Sequence, residues 1–154
     1  MNSSRKSSQT LEPPVSLHLE NFVAGLEELG VSSEFVEGRD FREVNQRLLK
    51  TFFTPTKKAT GKWVHRGFRW HSYSYGHQVV DSGHQARAAY NEQPVTEFFI
   101  LHEPCDGLLK CVAGEWPDVC RFADDLYVFP CLFQWLFTTT HEQGYGPYFA
   151  KACA

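Results

Sequence analysis

The run from Asp124 to Phe149, DDLYVFPCLFQWLFTTTHEQGYGPYF, decides how this chain folds. Leu126 to Phe129 is apolar and β-prone, Pro130 interrupts it, and Phe133 to Thr140 resumes with aromatic and β-branched residues that suit a pleated, packed surface. The pattern predicts two antiparallel strands around a short turn. In the second, Trp135, Phe137 and Thr139 fall on one face and Leu136, Thr138 and Thr140 on the other. Both faces are then largely apolar, which places the strand inside a sheet rather than at its edge. It runs out into His141 and Glu142, after which Gly144, Tyr145, Gly146 and Pro147 form a loop that interrupts regular structure. A polar pair at the end of a buried strand, beside an aromatic Gly-Pro loop, is a candidate site.

Working back toward the N-terminus, Val95 to Leu101 (VTEFFIL) reads as another strand and ends in the same dipeptide, His102-Glu103. Cys105 to Val119 contains Gly107, Gly114 and Pro117 and reads as a short strand with a turn, or as a loop. Asp81 to Asn91 has helix formers and a possible cap at Asp81 or Ser82. Gly67 to Tyr75 alternates as a strand, with Phe68, Trp70, Ser72 and Ser74 opposite Arg69, His71, Tyr73 and Tyr75. Thr54 to Gly61 reads as a loop. Two amphipathic helices come first, one over Ser16 to Leu29 with Ser16 as N-cap and Gly30 as C-cap, the other over residues 39–53 with Asp40 as a cap. Residues 1–15 are Ser-rich and end in Pro13 and Pro14 before Val15, the composition of a tail. The expectation is one domain over residues 16–154, an α+β fold with a mostly antiparallel sheet of four or five strands and two or three helices on one side.

At 154 residues the chain suits a single core that needs neither disulfide nor metal. Its 15% aromatic content implies a bulky core or exposed aromatic contacts. Net charge is −3, which gives no support for non-specific binding to nucleic acid or anionic membrane. The charge is uneven: residues 1–91 carry 12 Lys/Arg and 9 Asp/Glu, residues 92–154 only 3 against 9. Five cysteines without a Cys-x-x-Cys pair suggest reduced thiols, and with no N-terminal apolar segment a cytoplasmic protein is expected.

Three functional readings follow. Asp124, Asp125, Tyr127, Glu142, Tyr145 and Tyr148 form an acidic and aromatic collection suited to docking a basic protein surface. Alternatively, if the two His-Glu strand ends lie side by side and parallel, His102, Glu103, His141 and Glu142 supply imidazoles and carboxylates for a divalent metal or for acid–base chemistry, as in a hydrolase or nuclease. Against it, an extended His-Glu dipeptide points its side chains in opposite directions, and neither place continues as His-Glu-x-x-His. The third is a nucleic-acid surface over residues 57–71, where Lys57, Lys58, Lys62, His65, Arg66, Arg69 and His71 interleave with Trp63, Phe68 and Trp70.

Tyr-Val after an acidic residue in Asp125 to Val128, Trp135, Thr140-His141-Glu142 and Gly146-Pro147-Tyr148-Phe149, together with Trp70 to Tyr75 and Ala86 to Ala89, resemble a small bacterial domain family of unknown function. The resemblance brings no assigned catalytic residue. In size and architecture such domains resemble immunity proteins, which implies a protein partner such as a toxin. The sequence has no Gly-rich phosphate loop and no dinucleotide fingerprint, so no cofactor is expected outside the metal alternative.

Overall fold

The computed structural model describes residues 15–64, 67–142 and 144–152. The expected tail lies outside these residues up to position 14. In chain order the elements are α1 (Val15–Glu28), β1 (Ser32–Val36), α2 (Gly38–Phe52), α3 (Thr54–Thr60), α4 (His71–Ser74), β2 (Asp81–Ser82), α5 (Gly83–Glu92), β3 (Phe98–His102), β4 (Gly107–Val112), β5 (Leu126–Pro130), β6 (Trp135–Thr139) and β7 (Tyr148–Lys151). Single turns of 3-10 helix, Glu103–Cys105 and Val119–Phe122, precede β4 and β5.

All strands join one antiparallel sheet in the order β1-β4-β3-β5-β6-β7-β2. The α+β class, the antiparallel pairing and the interior place of β6 follow the sequence pattern. The sheet has seven strands rather than four or five. The additional ones are short or lie at its edges: β1, the two-residue β2, and β7, in which Tyr148 to Lys151 returns along β6 after the Gly-Pro loop.

Helices cover both faces, not one. Phe98, Ile100, Val128, Trp135 and Phe137 pack with Phe22 and Leu26 of α1 and with Ala86 and Tyr90 of α5. The alternate residues Phe99, Leu101, Tyr127, Phe129 and Leu136 pack with Leu48 and Phe52 of α2 and with Trp70 and Tyr73 around α4. Because strand residues alternate in direction, apolar runs such as FFIL and LYVF need cover on both sides. The sheet therefore lies between two helical layers.

Two local readings are corrected. Thr54 to Thr60 is helical rather than a loop, with Pro55 in its first turn, where the missing N–H costs nothing, and Gly61 closing it at φ 80°. The predicted strand from Gly67 to Tyr75 is instead a turn leading into α4. The amides of Tyr73 and Ser74 donate to the Trp70 carbonyl, and Tyr75 to that of His71. Trp70 and Tyr73, three residues apart, both face the sheet, a helical spacing that short-range alternation concealed.

Candidate functional site

Strands β3 and β6 both run antiparallel to β5, so they are parallel to each other with one strand between them. Their ends, His102-Glu103 and His141-Glu142, therefore reach the same end of the sheet, flanking the start of β5 at Asp124 and Asp125. The two pairs are not neighbours, and the sheet divides what they carry.

On the α1 face, buried His102 sets Nε2 3.4 Å from Asp124 Oδ2, beneath the Phe22 ring at 4.8 Å. Its Nδ1 has no hydrogen-bond partner among the described residues. On the α2 face lie two linked networks. In the first, the Glu103 carboxylate accepts from the Arg69 guanidinium, from the Arg69 amide at 3.3 Å and from Tyr127 Oη at 2.6 Å. Arg69 donates in addition to Asn45 Oδ1 at 2.9 Å, and Tyr127 Oη accepts from the Trp70 amide at 2.9 Å. Burial pushes the Glu103 carboxyl above its usual range while the Arg69 charge and the Tyr127 hydroxyl pull it down. Burial, then the Glu103 carboxylate, pushes the Tyr127 phenol well above its ordinary value.

The second network centres on Asp125, which is 3% exposed. Its Oδ1 accepts from Trp70 Nε1 at 2.9 Å and from the His141 amide at 3.0 Å. His141 Nδ1 stands 2.9 and 2.8 Å from its two carboxylate oxygens. An ionised carboxylate only accepts, so Nδ1 carries the proton and Nε2 is left to meet solvent or a ligand. The Thr140 hydroxyl lies 3.0 Å from the Glu142 carbonyl and 2.8 Å from that of Tyr145, tying the loop back on itself. The Tyr145 ring leans on Trp70 at 5.8 Å. Within Thr140-His141-Glu142 the threonine thus shapes the loop, the histidine seals the buried aspartate, and Glu142 is exposed. Beside them is an open cleft of about 240 Å³ whose walls include His141, Glu142, Tyr145, Pro147, Arg87 and Cys120.

The hydrogen bond to Asp125 raises the His141 pKa, with burial opposing and the Asp125 charge assisting. A folded-state value above the unfolded one makes this contribution complete below the ordinary histidine value and lost as pH rises through the raised value. The stability difference between the wild type and His141→Gln should therefore be larger at acidic pH and shrink toward alkaline pH in urea titrations. With its side chain 41% exposed, His141 is screened by solvent, which keeps the change within about 1 kcal/mol.

Of the docking residues expected from sequence, Asp125, Tyr127 and Tyr148 are buried and serve the fold. Asp124 is half-buried, and Glu142 and Tyr145 are exposed. The proposed metal set does not assemble: His102 faces α1, Glu103 is held by Arg69, and His141 by Asp125. Among the described residues no three His, Cys, Asp or Glu side chains are placed to hold an ion. The basic stretch is likewise divided. Arg69 and Trp70 are buried, Lys57 donates to the Gly61 carbonyl, and His65 and Arg66 lie outside the described residues. None of the described cysteines is in a disulfide, and burial pushes the Cys111 thiol up to about 12. Sequence reasoning missed Asn45, Arg69 and Trp70 as partners of this end. The available signal was parity, since Asp124 and Asp125 must point to opposite faces and the inward one needs donors.

Residues 51–149 match the family model described as Domain of unknown function (DUF4275). The chain belongs to this family. The matched span of the DUF4275 domain holds every residue of the Asp125 network, and the Arg69–Glu103–Tyr127 network except Asn45. No curated protein and no solved structure matches the chain. Among the described residues no helix is long and apolar enough to cross a membrane.

Proposed function

We propose that this DUF4275 member is a protein-binding domain that engages its partner at the His141 end of the sheet. The observation that supports this reading is a polar and aromatic set, His141, Glu142 and Tyr145, standing on a buried Asp125–Trp70 base, with half-buried Asp124 at the same end of the sheet on its other face. Side chains held in advance lose little freedom on binding. The excess of carboxylates in residues 92–154 selects a basic partner surface and steers its approach. An immunity-like role, in which the domain covers the basic active surface of a toxin, is the specific case put forward first, and its support is the chain's size, α+β architecture and acidity.

The test compares immobilised wild type with the double variant Glu142→Lys, Tyr145→Ala. Both residues are exposed, so the unfolding midpoint should not move. A partner retained by the wild type should bind the variant at least about tenfold more weakly, the loss expected when an aromatic anchor and a steering charge go together. Equal retention by both forms, or no protein partner under any condition, overturns the reading.

One observation favours a second reading. A carboxylate-held imidazole with Nε2 outward is the arrangement a general base requires. Ester and phosphodiester hydrolysis that disappears in His141→Gln would carry it, and hydrolysis unchanged in that variant would end it.

A further inference from the structure

Strand β1 forms an outer edge of the sheet, four positions from β6 and apart from the His141 end. Among the described residues its outward backbone edge has no strand beside it, the setting in which an extended segment from another chain can add itself. The register decides what such a segment meets. Glu34 lies opposite Lys110, which lies opposite Phe99, so these three share the α2 face. Phe35 pairs with Leu109 on the other face and is 51% exposed.

Along the α2 face the edge is bordered by a groove of about 360 Å³. Phe99, Val36 and Val44 give it apolar walls, while Glu34, Glu37, Asp40 and Glu43 bring carboxylates and Lys110 is the cation on it. Arg39 partly neutralises Glu43 at 3.1 Å, leaving three carboxylates against one ammonium. We propose that β1 accepts an extended basic segment of a partner protein as an eighth strand, with a Lys or Arg beside Glu34 over the groove and an apolar side chain beside Phe35. The long stem of a Lys or Arg suits the Phe99–Val44 wall and its charged head the carboxylate rim. Charge also argues against a second copy of this chain. Antiparallel pairing of β1 with itself centred on Glu34 sets that residue against its own copy and brings two acidic grooves together.

The probe is a blocked, fluorescein-labelled peptide of alternating Lys and Val, followed by anisotropy at low and at physiological salt. Wild type should bind it, more weakly as salt rises. Glu34→Lys with Asp40→Lys, both at exposed positions, should weaken binding at least about tenfold while circular dichroism is unchanged. N-methylation of one alternate set of peptide amides should abolish binding and of the other should not, because a strand bonds its neighbour through every second residue. Glu142→Lys should leave it unchanged, which separates this edge from the His141 end. No binding, equal binding by the groove variant, indifference to both N-methylated forms, or a dimer that excludes the peptide from β1 would each overturn the proposal.

Discussion

Glu103→Ala should destabilise the protein by about 3–5 kcal/mol, the largest single effect expected at the site, because it takes the close counter-charge from a buried guanidinium and leaves it only the solvent-exposed Asp106 carboxylate at 3.9 Å. The Arg69 side chain is only 10% exposed, and its Nε already has no partner among the described residues. Truncation also removes the acceptor of Tyr127 Oη and of the Arg69 amide, both inside the α2-face core. Desolvation of the pair is a cost the fold already bears, so the loss on truncation exceeds the net worth of the pair. Arg69→Met with Glu103→Leu removes both charges and should therefore cost less than Glu103→Ala alone. Urea unfolding of wild type, the single and the double variant measures this. A double variant less stable than the single would show that the pair is a net stabiliser beyond its own desolvation.

Asp125→Ala comes next, at roughly 2–4 kcal/mol, since the indole of Trp70, the amide of His141 and its Nδ1 all lose one acceptor. The buried indole has no route to water, as Trp70 is 1% exposed, whereas the half-exposed imidazole can hydrate. Most of the loss is thus assigned to Trp70. Asp125→Asn retains one acceptor oxygen and should cost less. Both variants should return the His141 pKa toward its ordinary value, read from the imidazole carbon-bound protons by NMR. An unmoved His141 titration in Asp125→Ala would mean that Asp125 does not set its protonation. Asp124→Asn, one residue earlier but on the other face and partly in water, should change stability by no more than about 0.5 kcal/mol.

The contrast between adjacent aspartates shows what was legible in the chain. The strands at 126–130 and 135–139 and the helices at 15–28, 38–52 and 83–92 could be read because their periodicities are long enough to outweigh local ambiguity. The polar end was visible as a repeated His-Glu dipeptide closing two strands. Its chemistry was not, because the partners of Glu103 and Asp125 are Arg69 and Trp70, 34 and 55 residues away, from a segment whose alternation imitated a strand. Exposure was misjudged for the same reason. Tyr127 and Tyr148 look like docking aromatics until the α2-face core encloses them.

Local sequence by itself determined the α+β class, the interior character of β6, the bend at the Gly-Pro loop and the acidity of residues 92–154. Each depends on residues close along the chain or on simple counts. Only the tertiary structure decided the seven-strand order, the cover on both faces and the separation of the two His-Glu ends. It also decided the capture of His141 by Asp125 and, among the described residues, the place of β1 at an edge of the sheet. These depend on which distant strands pair, and side-chain alternation then sends neighbours in the chain to opposite sides of the sheet.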